Sequence, residues 1–162
     1  MKEKQSHPFM PIYDQKAEIL ILGTFPSVKS RENEFYYGHP QNRFWKLLAR
    51  IYEEETPETI EEKTAFLRKH RIALWDVIRS CEIEGSADHT IEKASANDIP
   101  SLLKATNIQK IYCNGKKAFE LYRKFFKDTV DAEVHCLPST SPANAVWTME
   151  KLIGEWKILK EK

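Results

Sequence analysis

The segment ILILGTFPSVKSRENEFYYGHPQNRFW, residues 19–45, holds the pattern that decides the fold. It opens with four consecutive aliphatic residues, Ile19 to Leu22, and such a run is typical of a strand buried on both faces of a parallel sheet. Gly23 ends the run where backbone passes close to another group, and Pro26 fixes the turn that follows. The next residues lack helix or strand periodicity. A long loop that is both aromatic and polar is usually functional, although its aromatics can also simply cover the core.

Outward from this segment, apolar runs alternate with amphipathic ones. The pattern predicts four strands, at residues 17–22, 71–77, 110–113 and 132–137. It predicts five helices, at residues 42–52, 56–70, 97–105, 116–126 and 145–159. The arm up to residue 16 is expected to be irregular, and residues 78–96 a loop or broken helix. We therefore expect one domain spanning residues 1–162, an α/β/α sandwich of three layers around a central, mainly parallel four-stranded sheet.

In such a sheet, ligands bind outside the carboxyl ends of the strands. The loops after the first, second and fourth predicted strands meet at that edge. Topology alone therefore brings the aromatic loop, the end of the second strand near Asp76 and the proline-rich segment after residue 137 into one site.

Composition sets broad limits on function. Hydrophobic residues make up 41% of the 162 residues and charged residues 30%, which is ordinary for a globular protein, and the net charge is only +1. This net charge is less positive than that of many DNA-binding proteins, although basic residues cluster around the aromatic loop. The sequence has no apolar run long enough to span a bilayer and no apolar targeting core near Met1, so we expect a cytoplasmic protein without membrane association.

The cysteines and glycines exclude several classes of site. Cys81, Cys113 and Cys136 are widely spaced and odd in number, which fits neither a disulfide framework nor a zinc site. The five glycines include no phosphate-binding G-x-G-x-x-G pattern and no P-loop, which argues against an unrelated nucleotide enzyme. We expect no metal and no cofactor.

Three blocks carry a resemblance to a known family. They are GTFPS at 23–27 with FYYGHPQNRFW at 35–45, CNG at 113–115 before a helix, and LPSTSPAN at 137–144. In this order and at these separations they resemble the uracil-DNA glycosylase superfamily over nearly the whole chain. They are most similar to its hypoxanthine-DNA glycosylase branch and the mismatch-specific uracil-DNA glycosylase relatives. Some other branches hold an iron–sulfur cluster on four cysteines, and this chain has too few.

The resemblance implies an activity. It implies a monofunctional DNA glycosylase of base excision repair that removes hypoxanthine, with uracil and xanthine as further candidates. Such an enzyme flips the damaged nucleotide out of DNA and hydrolyses the N-glycosidic bond with water. No lysine inside either motif offers a Schiff-base nucleophile. The implied partner is damaged DNA, bound by a monomer.

Catalytic roles carry over residue by residue. Tyr37 matches the aromatic that stacks on the flipped base, and Asn42 the residue that positions the water through its amide carbonyl. Phe25 stands where many members have Asp or Asn, and Ser139 where many have His or Asn to stabilise the leaving base. Two of these roles have structural alternatives. Tyr37 could be a core aromatic, and Asn42 could be a helix cap.

Further residues are expected at the base. Asp76 could accept a hydrogen bond from N1–H of hypoxanthine or N3–H of uracil, or it could cap the next turn. His39 is as consistent with a fixed turn as with catalysis. Ser86 and Asp88 are weaker candidates. The base-binding set also includes backbone groups of the first motif, at Gly23, Thr24 and Phe25.

The second motif loop is expected to enter the DNA minor groove. Pro142, Ala143 and Asn144 would be its wedge, with Ser27, Ser141 and Arg43 as further DNA contacts. Alternatively, Ser141 and Asn144 cap the final helix. The unusual residues at positions 25 and 139 also leave open a second function, a nucleic-acid or nucleotide-binding module of the same fold with weak or no catalysis.

Overall fold

A computed structural model describes residues 2–7, 9–33, 35–127 and 129–161. Its elements follow in chain order: β1 (Glu3–Ser6), β2 (Ile19–Gly23), α1 (Val28–Asn33), α2 (Phe44–Tyr52), α3 (Ile60–Lys69), β3 (Ile72–Asp76), β4 (Ile78–Glu84), β5 (Ala87–Ala96), α4 (Ile99–Lys104), β6 (Lys110–Asn114), α5 (Lys116–Phe126), β7 (Glu133–Leu137) and α6 (Met149–Trp156), with a final 3₁₀ turn at Lys157–Lys160.

The central sheet confirms the predicted architecture. Its four strands are all parallel, in the order β3-β2-β6-β7. Strand β2 is interior and buried on both faces, with Leu20 and Leu22 in one core and Ile21 in the other. This explains why its sequence is a continuous aliphatic run instead of an alternating one.

Helices cover both faces of this sheet. Helices α2, α3 and α6 pack on the Ile21 face, while α4, α5 and strand β4 pack on the Leu20 face. Local signals set the helix ends. Thr59 and Glu62 form a capping box at the start of α3, and Gly115 precedes α5 with φ of 101°, a conformation that favours glycine.

The prediction for the arm and for residues 78–96 was wrong. Strands β1, β4 and β5 form a second, antiparallel sheet in the order β1-β4-β5. Strand β1 is the polar segment EKQS, which carries no apolar signal. The pairing of β4 with β5 shifts register three times. Because such irregularities break strict alternation, the strand pattern is hidden in the sequence.

Other features also differ from the prediction. Helix α3 begins at Ile60, four residues after the predicted start, because Thr59 is its N-cap. The loop after β2 contains a helix, α1, whose six residues are too few to show periodicity. Helix α6 begins only at Met149, and Thr148 caps it by accepting from the backbone N–H of Lys151. The alternative that Ser141 and Asn144 cap the final helix is therefore wrong, and both residues belong to a longer loop.

Within the described ranges, no helix is long and apolar enough to cross a membrane. Among those same residues, no group of three or more His, Cys, Asp or Glu side chains could hold a metal ion. Cys81 and Cys113 are buried free thiols, and Cys136 is exposed.

Candidate active site

Three adjacent parallel strands end at one edge of the central sheet. Gly23 ends β2, Asp76 ends β3 and Asn114 ends β6, with Gly23 directly opposite Asp76 in the register. Backbone pairing continues past the strands, because Val77 N–H donates to the Gly23 carbonyl at 2.8 Å and Ile78 N–H to the Thr24 carbonyl at 3.1 Å. The loops that carry the sequence motifs all leave from this edge, as the topology predicted.

Gly23 is where polar groups of two loops converge. A Cβ atom at this position would lie 2.3 Å from Oδ1 of Asp76 and 3.0 Å from the hydroxyl oxygen of Tyr37. The first distance is far inside van der Waals contact, so no residue larger than glycine fits without displacing the carboxylate. The close approach that the sequence indicated at Gly23 is thus an approach of side chains from β3 and from the aromatic loop.

The first motif turns sharply and is mostly buried. Thr24 and Phe25 are 5% and 7% exposed, and the Phe25 ring belongs to the core cluster on the Leu20 face. Only the backbone of Phe25 is left for contact with a base. Ser27 accepts from the backbone N–H of Ser30 at 3.1 Å, so its hydroxyl organises the turn into α1.

Tyr37 holds an unusual position in the aromatic loop. Its backbone is left-handed, with φ of 53°, which is strained for a bulky residue. Its ring stacks on Phe44 with centroids 4.0 Å apart, which covers one ring face. Burial, and secondly the charge of Asp76, raises the pKa of its hydroxyl.

The Tyr37 hydroxyl is also unpaired. It is buried with no hydrogen-bond partner among the described residues. Asn114 lies near enough to favour the ionised form, but no hydrogen bond of normal geometry joins the two side chains. An unpaired buried hydroxyl costs free energy and commonly marks a place where a ligand or water belongs.

Asn42 links the two motif loops. Its Oδ1 accepts from the Phe44 backbone N–H at 3.0 Å and from the Thr140 hydroxyl at 2.8 Å. The first contact satisfies the backbone N–H that opens α2, but the N-cap position itself is Arg43, so the helix-cap alternative for Asn42 is met only in part. The second contact reaches across 98 residues to the second motif. Because both lone pairs of the carbonyl are used, the group left open is the Nδ2 amide, which donates to no residue in the described ranges.

Thr140 joins this network to strand β6. The fully buried Thr140 hydroxyl accepts from Nδ2 of Asn114 at 3.1 Å, and its backbone N–H donates to Oδ1 of Asn114 at 3.0 Å. Neither Thr140 nor Asn114 was among the predicted site residues. The CNG block at 113–115 was a usable signal, since an Asn that ends a buried strand needs hydrogen-bond partners.

Arg43 holds the second motif loop in place. Its guanidinium donates to the backbone carbonyls of Trp147, Ser141 and Asn144, the last two at 3.1 Å. Its backbone N–H donates to the Thr140 carbonyl at 3.2 Å. A planar guanidinium suits such a multiple contact. The predicted DNA contact of Arg43 has to compete with these interactions.

The second motif loop is also held by its own side chains. Asn144 donates to the Ser139 carbonyl at 2.9 Å, and the Ser141 hydroxyl accepts from Ala143 N–H at 3.1 Å. Ser139 accepts from Ser141 N–H at 3.1 Å, and its Cβ lies 3.2 Å from where a Cβ of Gly115 would be. Ser139 therefore lies against the start of α5, at the same edge as Asn114.

Val146 is the outermost apolar residue of this loop. Its side chain is 79% exposed, and Ala143 in the predicted wedge is also exposed. The sequence did not single out Val146, because the last helix was predicted to start at residue 145. In the structure α6 begins only at Met149, which leaves Val146 in the loop.

Two further ionisable residues stand beside Asp76. The His7 ring contacts the Asp76 carboxylate with Nε2 to Oδ2 at 2.7 Å, and both side chains are buried. Burial raises the pKa of Asp88 to about 6, with contact to Thr24 partly offsetting the rise. Sequence reasoning missed His7 because it lies 69 residues from Asp76, and it gave Asp88 little weight.

His39 organises the turn before α2. Its Nδ1 accepts from the Gln41 backbone N–H at 3.1 Å, and its carbonyl accepts from the Asn42 N–H at 3.0 Å. These contacts favour the fixed-turn interpretation of His39.

Comparisons with known proteins agree with this geometry. A model of the uracil DNA glycosylase superfamily matches residues 10–161. A protein from Methanosarcina acetivorans named hypoxanthine DNA glycosylase is 35% identical over 92% of this chain and 94% of its own. One of the same name from Methanosarcina barkeri is 37% identical over 88% of this chain and 89% of its own. The solution NMR structure of a Methanosarcina acetivorans protein, provisionally described as a uracil DNA glycosylase, superposes with a TM-score of 0.79 at 33% identity, covering 94% of this chain and 97% of that one.

Proposed function

This chain belongs to the uracil-DNA glycosylase superfamily, and we propose that it is a monofunctional DNA glycosylase that removes deaminated bases, hypoxanthine first. The observation that carries this proposal is the convergence of Tyr37, Asp76 and Asn42 at one edge of the sheet, beside the second motif loop. Relatives at 35–37% identity that are named hypoxanthine DNA glycosylase support the choice of base.

Asp76 would recognise the base. Its Oδ2 is engaged by His7, while Oδ1 points over Gly23 into the region where Tyr37 also ends. A carboxylate oxygen accepts a hydrogen bond from N1–H of hypoxanthine or N3–H of uracil. Adenine and cytosine carry a lone pair at the corresponding nitrogens. Asp76 therefore favours the deaminated base in each pair, and Tyr37 offers its ring as the stacking surface.

Asn42 would position the attacking water. Hydrolysis needs a water held on the far side of the sugar carbon from the base, and an amide can hold it without being a strong base. The hydrogen bonds from Phe44 N–H and from the Thr140 hydroxyl fix the plane of the Asn42 amide. Its open Nδ2 group then faces away from these two partners.

The leaving base would be stabilised by neutral donors. Ser139 supplies a hydroxyl that can donate one hydrogen bond but cannot become cationic, which gives weaker stabilisation than a histidine would. The backbone of Thr24 and Phe25 lies at the same edge. No lysine stands in either motif block, so we propose hydrolysis without a covalent intermediate.

The second motif loop would enter the minor groove. Pro142, Ala143 and Asn144 form the predicted wedge, and we add Val146, whose exposed side chain can fill space between bases. Ser27, Ser141 and Arg43 remain proposed DNA contacts. Since Arg43 holds three loop carbonyls, its larger contribution would be to keep the wedge rigid.

The test is base release from duplex oligonucleotides that carry one deoxyinosine or one deoxyuridine, with and without alkali. A monofunctional glycosylase gives strand cleavage only after alkali, because the abasic product is intact. Release of hypoxanthine ahead of uracil is the expected result. Retention of DNA in a gel shift without base release would instead establish a binding module of the same fold.

We further propose that one domain, residues 1–162, acts on damaged DNA as a monomer in the cytoplasm. The family supports the DNA substrate. Light scattering during size-exclusion chromatography would test the monomer, and cell fractionation would test the location.

A further inference from the structure

The His7 imidazole is buried between two hydrogen-bond acceptors. Its Nδ1 lies 2.8 Å from the backbone carbonyl of Phe9, and its Nε2 lies 2.7 Å from Oδ2 of Asp76. The exposed fractions of the His7 and Asp76 side chains are only 3% and 5%. The arm that carries His7 is fastened to β4, where His7 N–H donates to the Arg79 carbonyl at 2.7 Å.

This environment fixes one proton of the His7 ring. A backbone carbonyl can only accept, so Nδ1 of His7 must carry a hydrogen. The contact between Nε2 and Oδ2 then needs one more hydrogen, held on either atom. In both arrangements Oδ2 of Asp76 is occupied by His7, and no proton is needed on Oδ1.

The rest of Asp76 is also held. Its carbonyl accepts from Nδ2 of the buried Asn97 at 2.9 Å. Among the described residues, none donates a hydrogen bond to Oδ1. That oxygen lies beside Gly23, in the same place as the unpaired Tyr37 hydroxyl. A fixed acceptor and an unpaired hydroxyl therefore lie together at the floor of the site.

We propose that His7 is a positioning residue that keeps Oδ1 of Asp76 an acceptor only, and thereby sets the preference for deaminated over normal bases. This inference rests on the proposed glycosylase function. Without His7, the hydrogen bond that holds Oδ2 is lost, so the carboxyl group of Asp76 can turn and Oδ1 is no longer fixed as an acceptor over Gly23. The hydrogen bond to N1–H of hypoxanthine would weaken, whereas a normal purine, which has no hydrogen on N1, would lose nothing. Loss of His7 would then weaken discrimination more than it weakens catalysis.

The experiment compares two matched variants, His7→Phe and His70→Phe. Phenylalanine at position 7 preserves an aromatic ring against Phe9 and Tyr36 but removes both ring nitrogens. His70 pairs with Glu54 in a His–carboxylate contact between the segments that follow α2 and α3, and it serves as the control. Single-turnover base release is measured on deoxyinosine and on 2′-deoxynebularine, a purine nucleoside with a lone pair at N1 and no oxygen at C6.

We expect His7→Phe to lower the ratio of hypoxanthine to purine release by about 10- to 100-fold, the size of one hydrogen bond to a charged group. His70→Phe should leave the ratio unchanged. An unchanged ratio in a folded His7→Phe protein would overturn the inference while the proposed function stands. A wild-type protein that releases neither base would overturn the proposed function and this inference with it.

A second measurement needs no variant. Nitrogen-15 NMR of the wild-type histidine side chains should show a hydrogen bonded to Nδ1 of His7 at neutral pH. A His7 ring with a bare Nδ1 would contradict the proton arrangement and overturn the inference, even if His7→Phe does not fold.

Discussion

The two sides of the site are built from different chemical groups. On one side, Asn42, Thr140 and Asn114 form a network of amides and a hydroxyl, which we term the amide side. On the other, His7, Asp76 and Asp88 are ionisable, and we term this the acidic side. Both sides lie at the same sheet edge. The amide side reaches it through the second motif loop, and the acidic side through the arm and the antiparallel sheet.

This difference separates two tasks. Neutral amides do not change charge between pH 4 and 9, so the amide side can hold a water and a loop in constant geometry. Ionisable groups can distinguish donors from acceptors on a base, but their action depends on protonation. The comparison therefore predicts that damage to the amide side lowers the rate on every base, whereas damage to the acidic side changes which base is removed.

The largest effect is expected for Asn42→Ala. Loss of the positioned water should reduce base release about 10²- to 10³-fold on both deoxyinosine and deoxyuridine, with a modest loss of DNA binding. The lost hydrogen bonds to Phe44 and Thr140 should also cost about 1 kcal/mol of unfolding free energy. Gln41→Ala, at an exposed neighbour, is the control. Activity near normal, with only the stability loss, would reduce Asn42 to a structural residue and break the comparison.

Asp76→Asn tests the acidic side. Removal of the charged acceptor should lower the rate of hypoxanthine release about 10- to 100-fold. The rate of purine release from 2′-deoxynebularine should change little. Single-turnover kinetics on both substrates give the ratio, and Asp131→Asn on an exposed loop serves as the control. An equal fall on both substrates would show that the two sides do not divide the tasks.

Asp88→Asn should change stability with pH. Burial raises the pKa of Asp88 from 3.8 to about 6 in the folded protein. The folded state therefore binds the proton more tightly than the unfolded state, and Asp88 favours folding below pH 4 and loses that contribution as pH rises through 6. At pH 7.5 the Asn variant should be more stable by about 1–2 kcal/mol. Urea unfolding at several pH values measures this.

The difference between Asp88→Asn and wild type should shrink as the pH falls and vanish below about pH 3, where Asp88 is neutral in both the folded and the unfolded state. A difference that stays constant across this pH range would mean that the change in stability comes from packing and not from the charge of Asp88.

Val146→Ser should give the smallest effect. Removing apolar surface from an exposed side chain should leave the unfolding free energy unchanged and weaken binding to damaged duplex by about 1 kcal/mol, roughly fivefold. Ile60→Ser on α3 changes another exposed aliphatic residue and should not affect DNA binding. Equal effects from the two variants would remove Val146 from the wedge.

The central sheet could be predicted from the sequence because its signals are local. The aliphatic run ending at Gly23 marked the central strand, and helix α5 has the predicted bounds of residues 116–126. Asp76 ends β3, as expected from the apolar run before it. Each of these features depends on neighbouring residues, whose periodicity is visible in one dimension.

The antiparallel sheet and half of the site could not be predicted in this way. Strand β1 is polar, and register shifts hide β4 and β5. The contact of His7 with Asp76 joins residues 69 apart, and that of Asn42 with Thr140 joins residues 98 apart. No local pattern encodes such contacts. The resemblance identified Asn42, but it did not reveal that Thr140 occupies the amide carbonyl.

The contact between Asn42 and Thr140 also bears on how the protein is made. During synthesis from the N-terminus, Asn42 leaves the ribosome long before its partner Thr140 on the second motif loop. The site is therefore complete only after β7 has joined the sheet, and contacts this distant in sequence form slowly. An unfinished chain can hold the aromatic loop but cannot yet fix the Asn42 amide, so the nascent protein should gain its capacity to cut glycosidic bonds among its last folding events.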